Sequence, residues 1–588
     1  MSGTTLPAVD VVLVGFGWTG AMLGQELVQA GLKVLALERG AWRDTSNDFA
    51  VTFAQDELRY YYRHALFEEP SQGTITFRNT PSQHALPMRE LGSFLPATGT
   101  GGAGVHWNGQ TWRFLPSDFK VRSHNEQRYG ALDPDMTVQD WGVTYDDLEP
   151  YYDKFEYLCG ISGQAGNLNG EMVPGGNPFE GPRRRGYPNP PLDMTYSPEL
   201  FRKAAHDLGL HPFTAPAANM SQPYTNWLGV RLGQCTYCGF CEKFGCGNYS
   251  KSSPQTTIHP VLLDNPDFEL RTNSTVLRVL TDSTGKRATG VLYVDDQGNE
   301  YRQPAEIVVL CAYAYHNTHL MLLSGIGQPY SPESGKGALG RNYAYQVVSG
   351  VDLFFDKDKV FNPFIGAGAL GVAIDDYNGD NFDHSGLGFI GGGYICLWNT
   401  NGRPIETQRV PPGTPKWGAK WKRAVAENYM SSASISTHGA VMSHRSNYLD
   451  LDPNYRNIHG QPLLRMTFDF KDNEHRLSDY LTDQAARVGK AMNPKQVHAK
   501  YRKGNYSIVP YQTTHNTGGT AMGADPSTSV VNPYLQSWDV PNLFVMGASV
   551  FPQNPGYNPT GTIGALTYWS ANAIINRYLK SPGPLMQT

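Results

Sequence analysis

Four of the chain's seven cysteines, Cys235, Cys238, Cys241 and Cys246, fall within twelve residues in the run QCTYCGFCEKFGCGNYSKSSP. Three thiols spaced two residues apart, with a fourth after a longer gap, can fold around an iron–sulfur cube as thiolate donors. Zinc ribbons present two separated CxxC pairs and fit this compact run less well; zinc and disulfides stay open as alternatives. Cys311 ends the apolar run from Ile307 to Leu310 and reads as a small buried hydrophobe. No CxxCH occurs, so the chain is not built to attach a c-type haem.

Sixteen histidines are present, and only their settings tell them apart. His515 stands in HNTGGTAMG, where a neutral imidazole with a pKa near working pH could take a proton. The plain alternative is a turn histidine satisfied by its own backbone. Asn558, in YNPTG, carries an amide that could orient an oxygen while charge develops on it. His106 closes a third stretch, GSFLPATGTGGAGVHWNG, too rich in glycine for a regular element and therefore a loop lying close to something flat or charged.

The element that must position these groups is Val9 to Gly40. Val11 to Val14 is the apolar run of a parallel strand covered on both faces, and it feeds directly into Gly15-Phe16-Gly17-Trp18-Thr19-Gly20. Gly15 permits the tight turn, Gly17 lets the backbone approach a pyrophosphate, and Gly20 lets the following helix pack on the strand. That helix offers free N–H groups to phosphate charge. Glu38 and Arg39 end the second strand, where the carboxylate can accept hydrogen bonds from a ribose diol. Strand, glycine turn, helix, strand and acid in this order predict an adenine dinucleotide site; a bland βαβ turn is the alternative.

A chain of 588 residues is long enough for two or three domains, and its glycines, prolines and aromatics describe a compact enzyme with long ordered loops. The net charge of −5 gives no basic surface for nucleic acid or anionic lipid. There is no run of about 18 apolar residues and the first strand starts within ten residues of Met1, so neither a membrane span nor a signal peptide is expected. Any membrane attachment then comes through a partner. The segment from Asp56 to Gln83 is expected to cover one side of the cofactor site. Helices are predicted over Tyr145 to Tyr157, Ser197 to Leu208 and Asn473 to Met492, the last with Leu477, Leu481, Ala485 and Val488 on one face. Phe268 to Tyr301 alternates like a meander with a hairpin at Asp295 to Gly298, and Glu306 to Leu310 returns to the parallel style. Val347 to Phe354, Phe389 to Leu397 and Leu463 to Phe470 are expected to be strands of one larger antiparallel sheet, a floor for a flat cofactor. The tail gives a strand from Leu543 to Met546, a glycine turn and a closing helix.

Together these motifs resemble the glucose-methanol-choline (GMC) oxidoreductases. The cradle with Glu38, the loop ending in His106-Trp107, the segment Val308 to Gly327 ending in LLSGIG, and the stretches HNTGGTAMG and YNPTGT carry the resemblance across nearly the entire chain. Thr318 departs from it, standing where many members have proline. The resemblance implies an α/β (α+β) chain: a Rossmann-like FAD-binding domain with a substrate domain on a mostly antiparallel sheet. It divides the sequence into residues 1–115 (FAD domain, first part), 116–230 (cap), 231–345 (cysteine loop and FAD domain), 346–512 (substrate domain) and 513–588 (catalytic segment and last FAD part). It implies FAD held by Gly15, Gly17, Trp18, Thr19, Gly20, Glu38, Arg39, Gly101, Gly102, Gly104, His106, Trp107, Asn108, Gly547, Ala548, Asn558 and Thr560, with His106 a candidate for a covalent 8α-histidyl bond. His515 becomes the general base of alcohol oxidation and Asn558 its hydrogen-bonding partner.

The cysteine loop is absent from the family's simple oxidases and resembles the flavoprotein subunits of bacterial membrane-bound sugar and sugar-acid dehydrogenases. This implies a 3Fe-4S cluster on three of the four thiolates, with a 4Fe-4S centre as the fallback, and a dehydrogenase whose electrons leave through that cluster. The implied reaction is gluconate to 2-ketogluconate, with 2-ketogluconate, sorbitol, fructose or glucose as rival substrates and a non-catalytic electron-transfer or assembly subunit as the rival of another class. Arg113 and Arg445 are candidates to meet the substrate carboxylate. Implied partners are a small subunit carrying the export signal and a membrane-bound multihaem cytochrome c leading to quinone, on the periplasmic face of the inner membrane; a cytoplasmic enzyme is the alternative.

Overall fold

The computed structural model describes residues 3–49, 66–90, 92–400 and 409–587. Strand Val9–Val14 lies between two parallel neighbours, Val34–Leu37 and Glu300–Leu310. Phe268–Arg271 extends the parallel sheet beyond Val34–Leu37, and Leu543–Val545 lies on the far side of Glu300–Leu310. Residues 11–14 and 34–37 are buried throughout, as a parallel sheet covered on both faces requires. Strand Glu300–Leu310 serves two sheets' worth of pairing: its first half is antiparallel to Ala288–Val294, and its apolar second half is parallel. That explains the change of pattern within it. Phe268–Arg271, expected in the meander, belongs instead to the parallel half, because among the described residues its only strand partner is Val34–Leu37.

A second sheet of six antiparallel strands runs Gln496–Lys500, Val347–Phe354, Ser432–Gly439, Gly393–Trp398, Gly371–Ile374 and Phe213–Thr214. Helix Asp472–Ala491 covers it, and Leu477, Leu481, Ala485 and Val488 are completely buried in the core they form with Val351, Leu353 and Ile435. Full burial of such a leucine is worth about 1.5–3 kcal/mol. The expected strand Leu463 to Phe470 does not join this sheet. Pro462–Thr467 pairs with Tyr448–Arg456 and, in parallel, with Ile75–Arg78 in a separate four-stranded sheet. Alternation fixes which face a strand buries, not which sheet it enters.

Helix Tyr145–Cys159 begins in a capping box, with Thr144 and Asp147 exchanging hydrogen bonds, and ends at Gly160 in the left-handed conformation. It packs on the closing helix Thr560–Ala573. Thr318 lies within an uninterrupted helix, Ala314–Ser324, and is fully buried. No helix of the described residues is long and apolar enough to cross a membrane. Of the segment from Asp56 to Gln83, residues 56–65 lie outside the described residues, and Glu68, Glu69, Gln72, Gly73 and Thr74 line the cavity described next.

Candidate active site

A cavity of about 590 Å³ runs from the first glycine turn to the six-stranded sheet. At the near end Gly15 has φ +103°, and a Cβ there would stand 2.6 Å from the Cys311 carbonyl oxygen, so only glycine fits. A Cβ on Gly20 would come within 2.2 Å of the Gly15 oxygen; this glycine seats helix Trp18–Gln29 on the strand rather than lining the cavity. The helix has no side-chain cap, so its first N–H groups remain open to an anion. Gly101 also stands behind the wall, where its N–H donates to Phe16 O at 2.8 Å and its α-carbon abuts Gln255. Gly15, Gly17, Trp18, Thr19, Glu38, Arg39, Gly102, Gly104, His106, Trp107, Asn108, Gly547, Ala548, Asn558 and Thr560 all line the cavity.

Glu38 does more than face a ribose. Its Oε2 accepts from Phe16 N–H at 3.0 Å, and its Oε1 from Gly40 at 2.8 Å and Gly99 at 3.2 Å, so one carboxylate ties both glycine loops together. A carboxylate has about four lone-pair sites, which leaves Oε2 room for one further donor. Arg39 pairs with Glu68 at 2.9 Å, and His316 Nε2 lies 3.1 Å from the same carboxylate. Against its burial, Arg39 and His316 hold Glu68 well below the usual carboxylate range.

At the far end, His515 from the loop after the sheet meets Asn558 at the start of the closing helix. His515 Nε2 and Asn558 Nδ2 are 3.3 Å apart. His515 Nδ1 lies 2.7 Å from Gln346 Oε1, an amide oxygen that can only accept, so Nδ1 carries the proton and Nε2 keeps its lone pair toward Asn558. Gln346 is held in turn by donating to Gly556 O at 2.6 Å. Tyr394 hydroxyl donates to Asn558 Oδ1 at 2.6 Å, which turns the Asn558 amide so that Nδ2 faces the imidazole. His438 also lines the cavity, with Nδ1 3.2 Å from Gln346 Oε1 and its ring stacked on Tyr394 at 4.7 Å. What surface His515 keeps faces this cavity, and burial, with His438 beside it, pushes the imidazole down to about 3. The alternative of a turn histidine bonded only to its own backbone is overturned by these side-chain partners.

Gly547, with φ +95° and no atom within 4 Å of where a Cβ would be, and Thr560, in the uncapped first turn of the closing helix, complete the wall. His106 is buried, its Nε2 without a hydrogen-bond partner among the described residues and its ring edge-on to Phe67 at 4.8 Å. Burial and the nearby Lys251 ammonium push it down to about 3. A glycine cradle with free helix N–H groups, an acid beside it and an orphaned imidazole nitrogen along the wall fit a flavin dinucleotide. Residues 140–348 and 443–567 match the two models of the GMC oxidoreductases. The chain belongs to that family.

This GMC oxidoreductase, an FAD-dependent dehydrogenase, is 51% identical to the gluconate 2-dehydrogenase flavoprotein of Pantoea cypripedii over 99% of this chain and 96% of that one. It is 25% identical to the fructose dehydrogenase large subunit of Gluconobacter japonicus, over 98% of this chain and 99% of that one. Its fold matches the structure of pyridoxine 4-oxidase from Mesorbium loti with a TM-score of 0.54 at 16% identity, covering 97% of this chain and 99% of that one.

Two expectations for this GMC oxidoreductase fail. Arg113 cannot meet a substrate: it is buried away from the cavity, pairing with Glu156 at 2.8 Å and Glu149 at 3.1 Å on helix Tyr145–Cys159. Arg445 is spent on backbone, donating to Pro332 O at 2.6 Å and Glu333 O at 2.8 Å, and it too lies outside the cavity wall. Lys243 was not anticipated. Besides Arg39 it is the only lysine or arginine among the described lining residues, and its ammonium lies over the Tyr511 ring at 4.5 Å.

The cysteine loop packs against the His106–Trp107 wall, for Lys243 N–H donates to His106 O at 2.8 Å. Tyr237, Lys243 and Tyr249 all take positive φ, so the loop is wound tightly on itself. Its sulfurs accept hydrogen bonds: Cys235 from Tyr237 N–H at 3.4 Å and Cys241 from Asn219 Nδ2 at 3.6 Å. All seven cysteines are free, which removes the disulfide alternative in this structure. Among the described residues no group of three or more His, Cys, Asp or Glu side chains converges to hold a metal ion. Burial pulls Lys251 below its ordinary value, while Cys241, Cys246, Cys238 and the Glu242 carboxylate pull it back.

Proposed function

We propose that this flavoprotein oxidises a secondary hydroxyl of an aldonic acid, gluconate to 2-ketogluconate, and releases the electrons through an iron–sulfur centre. The observation that carries the reaction type is the His515–Asn558 pair, 3.3 Å apart in the cavity, with the imidazole tautomer set by Gln346. A hydroxyl oxygen entering between the two groups donates its proton to Nε2 and accepts a hydrogen bond from Nδ2, which strengthens as negative charge develops on it. When bound, FAD supplies the hydride acceptor. The uncapped start of the Thr560–Ala573 helix favours negative charge at that end of the cavity. The orphaned Nε2 of His106 supports a covalent histidyl link, which would keep the flavin with the polypeptide after acid denaturation. For the substrate carboxylate, Lys243 takes the role expected of Arg113 or Arg445.

The choice of gluconate leans on similarity to the Pantoea cypripedii flavoprotein. Turnover of the purified enzyme with an artificial acceptor, on a panel of sugars and sugar acids, tests it: gluconate is expected to give the highest kcat/KM, and equal or better values for glucose or fructose would contradict the choice. Dehydrogenase chemistry is favoured over oxidase chemistry because a one-electron centre beside the flavin cavity offers an exit other than oxygen. The compact cysteine spacing and the loop's contact with the cavity wall support a 3Fe-4S cluster on three of the four thiolates, with 4Fe-4S as the fallback. A small subunit bearing the export signal, a membrane-bound multihaem cytochrome c and quinone complete the proposed path, on the periplasmic face of the inner membrane. Fractionation of cells expressing all subunits tests the location; activity confined to the cytoplasm would contradict it.

A further inference from the structure

Gln346 Oε1 serves two imidazoles. His515 Nδ1 lies 2.7 Å from it and His438 Nδ1 3.2 Å, while the amide nitrogen of the same side chain donates to Gly556 O at 2.6 Å. That last bond fixes which end of the amide faces the rings. An amide oxygen has two lone pairs and no proton to give, so both Nδ1 atoms are donors and both Nε2 atoms keep a lone pair. The lone pair of His515 faces Asn558; the one on His438 meets no hydrogen-bond partner among the described residues.

His438 is held by a sheet rather than a loop. It stands in strand Ser432–Gly439, opposite Tyr394 on one neighbouring strand and Val348 on the other. Its ring is stacked on Tyr394 at 4.7 Å with the planes 2° apart, and Tyr394 is itself fixed by donating to Asn558 Oδ1 at 2.6 Å. Ser436 and His438 share one face of the strand and both line the cavity; Thr437 between them points the other way, where its hydroxyl lies 2.6 Å from that of Ser349. With one edge tied and one face stacked, what the half-buried His438 offers the cavity is an acceptor. Burial pushes the imidazole down to about 3, so the acceptor persists at neutral pH.

We propose that His438 binds substrate: its Nε2 accepts a hydrogen bond from a hydroxyl on the carbon next to the one oxidised, and so selects a diol over a lone alcohol. The proposal rests on the reading of His515 and Asn558 as the alcohol-oxidising pair and of gluconate as the substrate. Two rings hung from one oxygen keep their acceptors within reach of one small molecule. A neutral imidazole lone pair needs a proton donor and repels a carboxylate. Of the two neighbours of the gluconate C2 it therefore takes the C3 hydroxyl and leaves the C1 carboxylate to Lys243.

The test is anaerobic reduction of the bound flavin by gluconate and by 3-deoxygluconate, which lacks that hydroxyl, in the complete enzyme as wild type, His438→Phe and His438→Gln. His438→Phe keeps a ring to stack on Tyr394 and loses both nitrogens; His438→Gln keeps an acceptor oxygen at about the reach of Nε2. The wild type is expected to prefer gluconate to the deoxy acid by about tenfold in reduction efficiency, the worth of one good hydrogen bond. In His438→Phe that preference should vanish through loss of efficiency on gluconate alone, and in His438→Gln part of it should return. A purely structural role, or His438 acting as the base, would slow both acids alike and keep their ratio; that result, or no preference in the wild type, would overturn the proposal. Wild-type flavin that neither acid reduces would overturn the substrate reading and the contact with it, a failure of the premise that shows before any variant is made.

Discussion

Gln346 governs the proton on His515. Because Oε1 accepts from Nδ1 at 2.7 Å, the nitrogen with the free lone pair is the one that faces Asn558, and because burial holds the imidazole near 3, the ring is neutral at neutral pH. Gln346→Met removes the acceptor and frees the ring but leaves the imidazole, so flavin reduction by substrate should slow by about tenfold, less than the ~10²-fold or more that the positioned base itself contributes. Gln346→Glu places a negative charge on the Nδ1 proton and favours the imidazolium, so the acid limb of kcat/KM should move toward neutral pH. An unmoved limb would detach Gln346 from the base. Lys243→Met should raise the KM for gluconate at least tenfold while leaving neutral sugars alone; equal effects on both would remove Lys243 from carboxylate recognition. Neither residue was legible beforehand. The motif around His515 marked a base, but its hydrogen-bond partner lies 169 residues away and only folding brings it there. Arg113 was misread for a related reason: it follows the glycine loop in sequence, whereas Glu149 and Glu156, seven residues apart and so on one helix face, were the available sign of where its charge goes.

The first βαβ unit was readable in full, since turn, helix start and acid are all short-range features and the apolar run announces a doubly covered strand. What local pattern could not supply was partnership between strands, as Phe268–Arg271 and Pro462–Thr467 illustrate. Gly20 tests the cradle at this scale. A Cβ would meet the Gly15 oxygen at 2.2 Å, so Gly20→Ala must push the helix off its strand and displace the phosphate-facing N–H groups. The variant should lose most of its flavin on desalting, or release it at lower urea if His106 holds it covalently; wild-type retention in both assays would mean the helix seat is not part of the cofactor site. The cysteine loop lies at the other extreme, its spacing conspicuous in sequence and its meaning dependent on the wall it packs against.

For the molecule as a whole, pH should tell through histidines kept neutral by burial. His106, His259, His438 and His515 are pushed down to about 3, and His319 to about 4. In the unfolded chain each would titrate near 6.5, so below that pH the unfolded state gains protons that the native state refuses, and stability falls. Asp118 and Asp375 act in the opposite sense, since burial raises them to about 7 and about 8 and the native state gains their protons as pH falls. His316, His384 and His459 are also held down by burial and Glu180 is held up, so depressed histidines outnumber raised carboxyls, each group being worth on the order of 1.4 kcal/mol per pH unit where it titrates. Thermal midpoints should therefore decline from pH 6.5 to pH 5, and a flat or rising midpoint would contradict these burial assignments.

The central claim is that His515, oriented by Gln346 and opposed by Asn558, takes the substrate proton as flavin is reduced. Anaerobic stopped-flow reduction of the bound flavin by gluconate, compared in the wild type and His515→Ala, addresses it most directly. The account predicts a fall of at least 10²-fold in the reduction rate, the usual worth of a positioned general base, with flavin content unchanged. An unaltered rate would contradict it, and would favour a subunit that only carries electrons.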